Sequence, residues 1–143
     1  MAGDVILGYD GQEGSEAALG TATRIAAAFK APLVIVFGYR PAPIGGDVTD
    51  LARAVRALGE RITGEALDAV HKIDASVSAT AELVDDRPAE AILRAADEHD
   101  ALAIVVGATG RGPLTGALLG SVTYNVVHRS TRPVVVVPAP ETA

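Results

Sequence analysis

Cysteine is absent from the 143-residue chain, which excludes disulfides, thiolate metal sites and cysteine nucleophiles while fitting any redox compartment. Tryptophan is absent as well, and two Phe and three Tyr supply few platforms on which unpaired bases can stack. Basic residues are in deficit: 12 Lys and Arg against 18 Asp and Glu give a formal net charge of −6, which repels a polyanion. Nucleic acid is therefore not expected as a partner. No apolar run approaches the length of a membrane span, and the N-terminus has neither the basic region nor the long apolar core of a signal peptide. The expectation is a cytoplasmic protein without a membrane partner.

Several chemistries also lack their residues. The three histidines, His71, His99 and His128, have no paired i, i+4 spacing for a metal and read as solvated surface groups. No Gly-Lys-[Ser/Thr] occurs, and no G-x-G-x-x-G follows the first apolar run, so neither a Walker-type motor nor a dinucleotide oxidoreductase is supported. Ser121 and His128 on one helix would stand ~10 Å apart along its axis, too far for a nucleophile and its base. Asp85 and Asp86 are the one adjacent carboxylate pair suited to catalysis. Before a proline they read more simply as partners of a helix start.

What is present is an alternation of short apolar runs and helical patterns. A hydrophobic content of 49% suffices for one domain, 1–143, with 139–143 as a flexible tail. Residues 5–9 have no polar alternation and read as a strand covered on both faces. Ser15 and Glu16 open a helix with Ala18, Ala22, Ile25 and Phe29 on one face, and residues 33–37 repeat the buried-strand pattern. Residues 38–46 read as an irregular loop. A long helix follows, with Leu51, Val55, Leu58, Ile62, Ala66, Val70 and Ile73 as its stripe, weakened by Gly59 and Gly64. Residues 76–84 alternate, as an edge strand with one wet face does. Pro88 starts a helix buried along Ala89, Ile92, Leu93 and Ala96, residues 101–106 form a fourth strand, and the prolines at 133 and 138 bracket a run of valines. Such alternation implies a parallel, doubly wound α/β sheet of five strands.

The stretch 107–123, Gly-Ala-Thr-Gly-Arg-Gly-Pro-Leu-Thr-Gly-Ala-Leu-Leu-Gly-Ser-Val-Thr, joins the fourth strand to the last helix. Glycines let a backbone turn several N–H groups onto one anion, and a helix start adds free amides and the positive end of its dipole. Gly107, Ala108, Gly110, Gly120, Ser121, Val122 and Thr123 thus read as a phosphate cradle, with Arg111 as a cation beside it. The hydroxyls of Ser121 and Thr123 are candidates for phosphate oxygens or, through them, Mg2+. The plainer readings are glycines that shape a loop, hydroxyls that cap a helix and an arginine that is solvated.

The spacing of Gly107, Gly110, Gly120 and Ser121 resembles the G-x2-G-x9-G-[ST] nucleotide motif of the universal stress protein family, with every defined position matched. The residues 8–11, Gly-Tyr-Asp-Gly, 88–93, Pro-Ala-Glu-Ala-Ile-Leu, 119–122, Leu-Gly-Ser-Val, and 133–137, Pro-Val-Val-Val-Val, extend the resemblance over nearly the whole chain. It implies a three-layer α/β/α fold of the adenine nucleotide alpha hydrolase-like kind, with strand order 3-2-1-4-5. It also implies ATP, with Mg2+, as the ligand. Asp10 would contact the adenosine part, with backbone from Gly8, Tyr9, Phe37 and Gly38 near the base. The last strand, Val134 to Val137, would pair across a homodimer axis, as an unpaired apolar edge invites. In that order the chain reverses across the sheet between its first and fourth strands, where Asp10 and Gly107 meet at the ligand crevice of such folds. The implied role is a nucleotide-binding regulator of the stress response; a slow ATPase and a nucleotide-free dimerisation module are the alternatives.

Overall fold

Strands that are apolar at every position need cover on both faces. A computed structural model describes residues 3–40, 48–108 and 119–139, and it supplies that cover with helices on either side of one parallel sheet. The elements in chain order are β1 (Val5–Gly8), α1 (Glu13–Phe29), β2 (Leu33–Gly38), α2 (Val48–Ile73), β3 (Ala79–Val84), α3 (Pro88–Glu98), β4 (Ala103–Gly107), α4 (Ser121–Arg129) and β5 (Val134–Val137). Side by side the strands run β3-β2-β1-β4-β5, as the resemblance implies. Val5 lies opposite Leu33 on one side and Ala103 on the other, and Ile104 lies opposite Val134. Residues 140–143 of the expected tail, most of the loop expected at 38–46, and Gly110 and Arg111 lie outside the described residues.

Side chains alternate across a strand, and this divides the core in two. Val5, Leu7, Leu33, Ile35 and Val105 enter the layer covered by α1 and α2, against Ala18, Ala22, Ala26, Ala66 and Val70. Ile6, Val34, Val36, Ile104 and Val106 enter the other, against Ala91, Ile92, Ala95, Ala96 and Val126 of α3 and α4. Each fully buried Val, Leu or Ile contributes about 1.5–3 kcal/mol relative to an exposed one. Short alanine side chains on the helices bring them close to the sheet. No described helix is long and apolar enough to cross a membrane.

The structure moves three expectations. Helix α1 starts at Glu13, ahead of Ser15, because the Gln12 carbonyl already accepts the Ser15 and Glu16 amides. Strand β3 starts at Ala79 rather than Ser76, because Asp74 captures the Ser76 amide at 2.9 Å and holds a turn there. In α2 the buried row is Gly59, Thr63, Ala66 and Val70, while Leu51, Leu58 and Ile73 of the expected stripe are exposed. The helix is rotated because the Phe37 ring and Leu83 press against Gly59, where a Cβ would lie 2.8 Å from Phe37. Only glycine admits that approach.

Candidate functional site

The observed strand order puts the reversal of chain direction between β1 and β4, which pair directly. In sheets of this kind ligands settle in a crevice at the carboxyl ends of two such strands. Asp10 follows β1 there, exposed, in a turn with Gly11 at φ 79°. Its Oδ1 accepts the Gln12 amide at 2.9 Å and lies 2.9 Å from the Ser15 hydroxyl. Its Oδ2 has no partner among the described residues. Asp10 thus braces the turn through one oxygen and holds the other in a fixed direction.

Across the crevice, β4 ends against the first turn of α1. A Cβ on Gly107 would lie 2.7 Å from the Gly14 carbonyl oxygen, so the missing side chain is what allows the contact. The Gly107 carbonyl accepts the hydroxyl of buried Thr123. Ala108 donates its amide to the Val137 carbonyl at 2.8 Å and accepts the Gly120 amide at 2.9 Å. The two ends of the glycine stretch are therefore clasped together, although eleven residues separate Ala108 from Gly120.

The clasp presents the start of α4. Gly120 is the cap residue, extended at φ −62° and ψ 157°, and no side chain caps it. The first intrahelical bond runs from the Tyr124 amide to the Gly120 carbonyl at 2.8 Å. The amides of Ser121, Val122 and Thr123 precede that bond and have no acceptor among the described residues, at the positive end of the helix dipole. The Ser121 hydroxyl is exposed and does not cap the helix. The Thr123 hydroxyl, expected toward phosphate or Mg2+, is instead turned inward to Gly107. Nothing local in the sequence distinguishes the two hydroxyls, since the partner of Thr123 lies 16 residues away.

The strands beyond β1 form the other flank. The Tyr9 amide donates to the Val36 carbonyl at 3.1 Å, and the Tyr9 ring packs on the layer of α1 and α2. Burial, and then the charges of Glu16, Asp10 and Glu65, push the Tyr9 phenol up, so it remains a neutral hydroxyl. The Phe37 side chain is buried toward α2, leaving the backbone of Phe37 and Gly38 at the carboxyl end of β2. Tyr39 continues the sheet by donating its amide to the Val84 carbonyl, and its hydroxyl accepts from Arg56 Nη1 at 2.7 Å.

Asp85 and Asp86 do not form a catalytic pair. Asp86 is buried, receives the Arg87 amide at 2.8 Å and is paired with Arg94, with Arg40 Nη1 at 3.5 Å. Exposed Asp85 faces Arg40 Nε at 3.6 Å. Arg87 itself is the cap of α3, without a side-chain cap bond, so the two acids serve as ion-pair partners more than caps. His99 is not a solvated surface group: both ring nitrogens meet carboxylates. A shallow cleft of about 180 Å3, bounded by Leu93, Asp97, Arg129 and Arg132, lies where α3 and α4 end. That is the opposite end of the sheet from the crevice.

Comparison with known proteins agrees with this architecture. The model of the universal stress protein family matches residues 1–138. A universal stress protein in the QAH/OAS sulfhydrylase 3′ region of Thermus aquaticus is 36% identical over 138 residues, covering 93% of this chain and 96% of its own length. The crystal structure of a universal stress protein in complex with cAMP is 32% identical with a TM-score of 0.76, covering 98% of this chain and 100% of its own. The universal stress protein UspA from Lactobacillus plantarum shares the fold at a TM-score of 0.83 and 23% identity, over 94% of this chain and 97% of its own.

Proposed function

The chain belongs to the universal stress protein family, and on that premise we propose that it is a regulatory binder of an adenine nucleotide, ATP carried with Mg2+. The observation that carries the reading is the uncapped start of α4, clasped to the end of β4, which pairs with the strand that leads to Asp10. Open amides at a positive helix end favour phosphate. The cAMP complex of a relative 32% identical to this chain supports a nucleotide as the ligand class. A chain of net charge −6 repels a free polyphosphate, and Mg2+ reduces that repulsion.

In this reading the amides of Ser121, Val122 and Thr123 and the Ser121 hydroxyl hold phosphate, with Gly110 and Arg111 as further candidate contacts. Gly107, Ala108 and Gly120 shape the floor, since the amides of Ala108 and Gly120 are already bonded within the protein. The other oxygen of Asp10 takes a ribose hydroxyl, and the backbone of Gly8, Tyr9, Phe37 and Gly38 lines the adenine. The working form is a cytoplasmic homodimer paired through β5, a sheet edge whose four valines are all half-buried.

Thermal unfolding with ATP and Mg2+, AMP and cAMP in separate arms tests the proposal. A nucleotide at one hundred times its dissociation constant adds ~2.7 kcal/mol of stability. Absence of any shift at millimolar concentrations of all three removes the nucleotide reading. Equal shifts with AMP and with ATP remove the role given to the phosphate chain and Mg2+.

A further inference from the structure

Helix α3 stops in a fixed turn: the His99 amide returns to the Ala95 carbonyl and the Ala101 amide to the Ala96 carbonyl, each at 2.9 Å, with Asp100 left-handed at φ 48°. The turn is anchored to the start of β1, because the Leu102 amide donates to the Asp4 carbonyl at 2.8 Å. His99 is thereby held with Nδ1 2.9 Å from Asp4 Oδ2 and Nε2 2.6 Å from Glu82 Oε2. Asp4 precedes β1, and Glu82 belongs to the edge strand β3, with β2 lying between them in the sheet. A neutral imidazole has one N–H and one lone pair, so it can donate to only one of these carboxylates. The imidazolium donates to both.

We propose that Asp4, His99 and Glu82 form a proton-operated clamp, in which the His99 imidazolium ties the edge strand β3 to the end of α3 and the start of β1. When the ring loses its proton to solvent, one carboxylate faces a lone pair and β3 loosens from α3. The side chains are partly shielded, with exposures of 26% for His99, 23% for Asp4 and 34% for Glu82, so solvent exchanges the proton while screening is reduced. The groups do not converge on a point as ligands would, and among the described residues no group of three His, Asp or Glu suits a metal ion.

The surroundings leave the two carboxylates in control. Strand β2 presents uncharged Val34 and Val36 to this layer. On the segment that carries His99, Asp97 and Asp100 are paired with Arg132, at 3.5 and 2.9 Å. Burial works against the charged ring, but the hydrogen bonds and charges of Glu82 and Asp4 together outweigh it, and His99 holds its proton to a higher pH than an ordinary histidine. A pKa raised on folding gives stability that is complete below the unfolded value and is lost as pH rises through the folded value. The clamp is closed in mild acid and opens toward alkaline pH.

NMR titration of the His99 ring, in the folded chain and in the chain unfolded by urea, tests this together with urea midpoints of the wild type, Glu82→Gln and His99→Gln from about pH 5 to about pH 9. The expected folded pKa lies above the unfolded one. The wild-type midpoint falls as pH rises through it, and that fall is smaller in Glu82→Gln and absent in His99→Gln. Amide exchange along β3, corrected for intrinsic rates, accelerates over the same range. A folded pKa at or below the unfolded value overturns the clamp, as does a fall that is unchanged in Glu82→Gln. Should His99→Gln fail to fold, the titration and Glu82→Gln decide the matter alone.

Discussion

Two hydroxyls in the first turn of α4 have opposite surroundings, and the difference is measurable. Thr123 is buried and bonded to the Gly107 carbonyl, whereas Ser121 is exposed and caps nothing. Thr123→Val keeps the shape of the side chain but leaves that carbonyl without its donor, with an expected loss of about 1–3 kcal/mol in urea unfolding. Ser121→Ala is expected to stay within roughly 0.5 kcal/mol of the wild type in the same measurement, while weakening nucleotide binding in calorimetry by up to about tenfold, the worth of one hydrogen bond. Stability lost with Ser121→Ala and unchanged with Thr123→Val would sink this division of roles.

At the scale of an element, α2 carries two glycines that the helical pattern treats alike. A Cβ at Gly59 would lie 2.8 Å from the Phe37 ring and 2.9 Å from Leu83, whereas a Cβ at Gly64 would meet nothing within 4 Å. Gly64→Ala is therefore expected to stabilise the protein by about 0.8–1 kcal/mol, the difference in helix propensity. Gly59→Ala gains the same propensity but overpacks a close contact, at a cost of about 1–3 kcal/mol, and its net effect is expected to be destabilising. Thermal midpoints of the two single variants check the pair; a gain from Gly59→Ala equal to that from Gly64→Ala contradicts the observed packing. The rotation of α2 follows from the same contact, and it leaves Leu51 and Leu58 on the exposed side.

For the whole molecule, carboxyls whose pKa is lowered and a histidine whose pKa is raised on folding give stability its dependence on pH. Glu90 of α3 is held below the ordinary carboxylate range by its hydrogen bond to Arg129 of α4, and Asp74 by its bonds to Ser76. Carboxyls depressed in this way contribute stability above their unfolded pKa and lose it as pH falls through the folded value. His99 contributes with the opposite sign. Urea midpoints are expected to decline on both sides of a maximum, the acid limb flattening in Glu90→Gln. An acid limb identical in that variant removes the Glu90–Arg129 pair from the account.

The sequence by itself determined that β1, β2 and β4 are buried on both faces, because apolar runs without alternation have no wet side, and it determined the spacing of the glycine stretch. The order of the strands came from resemblance, since periodicity is a local property and is blind to neighbours. Tertiary structure alone decided which face of α2 is covered, that Gly107 is a packing contact with Gly14, and that Thr123 turns inward. It also brought His99 to Asp4 across 95 residues of chain and to Glu82 across 17. Those outcomes depend on close approach between segments that the chain keeps apart, and no repeat along the chain encodes a distance across it.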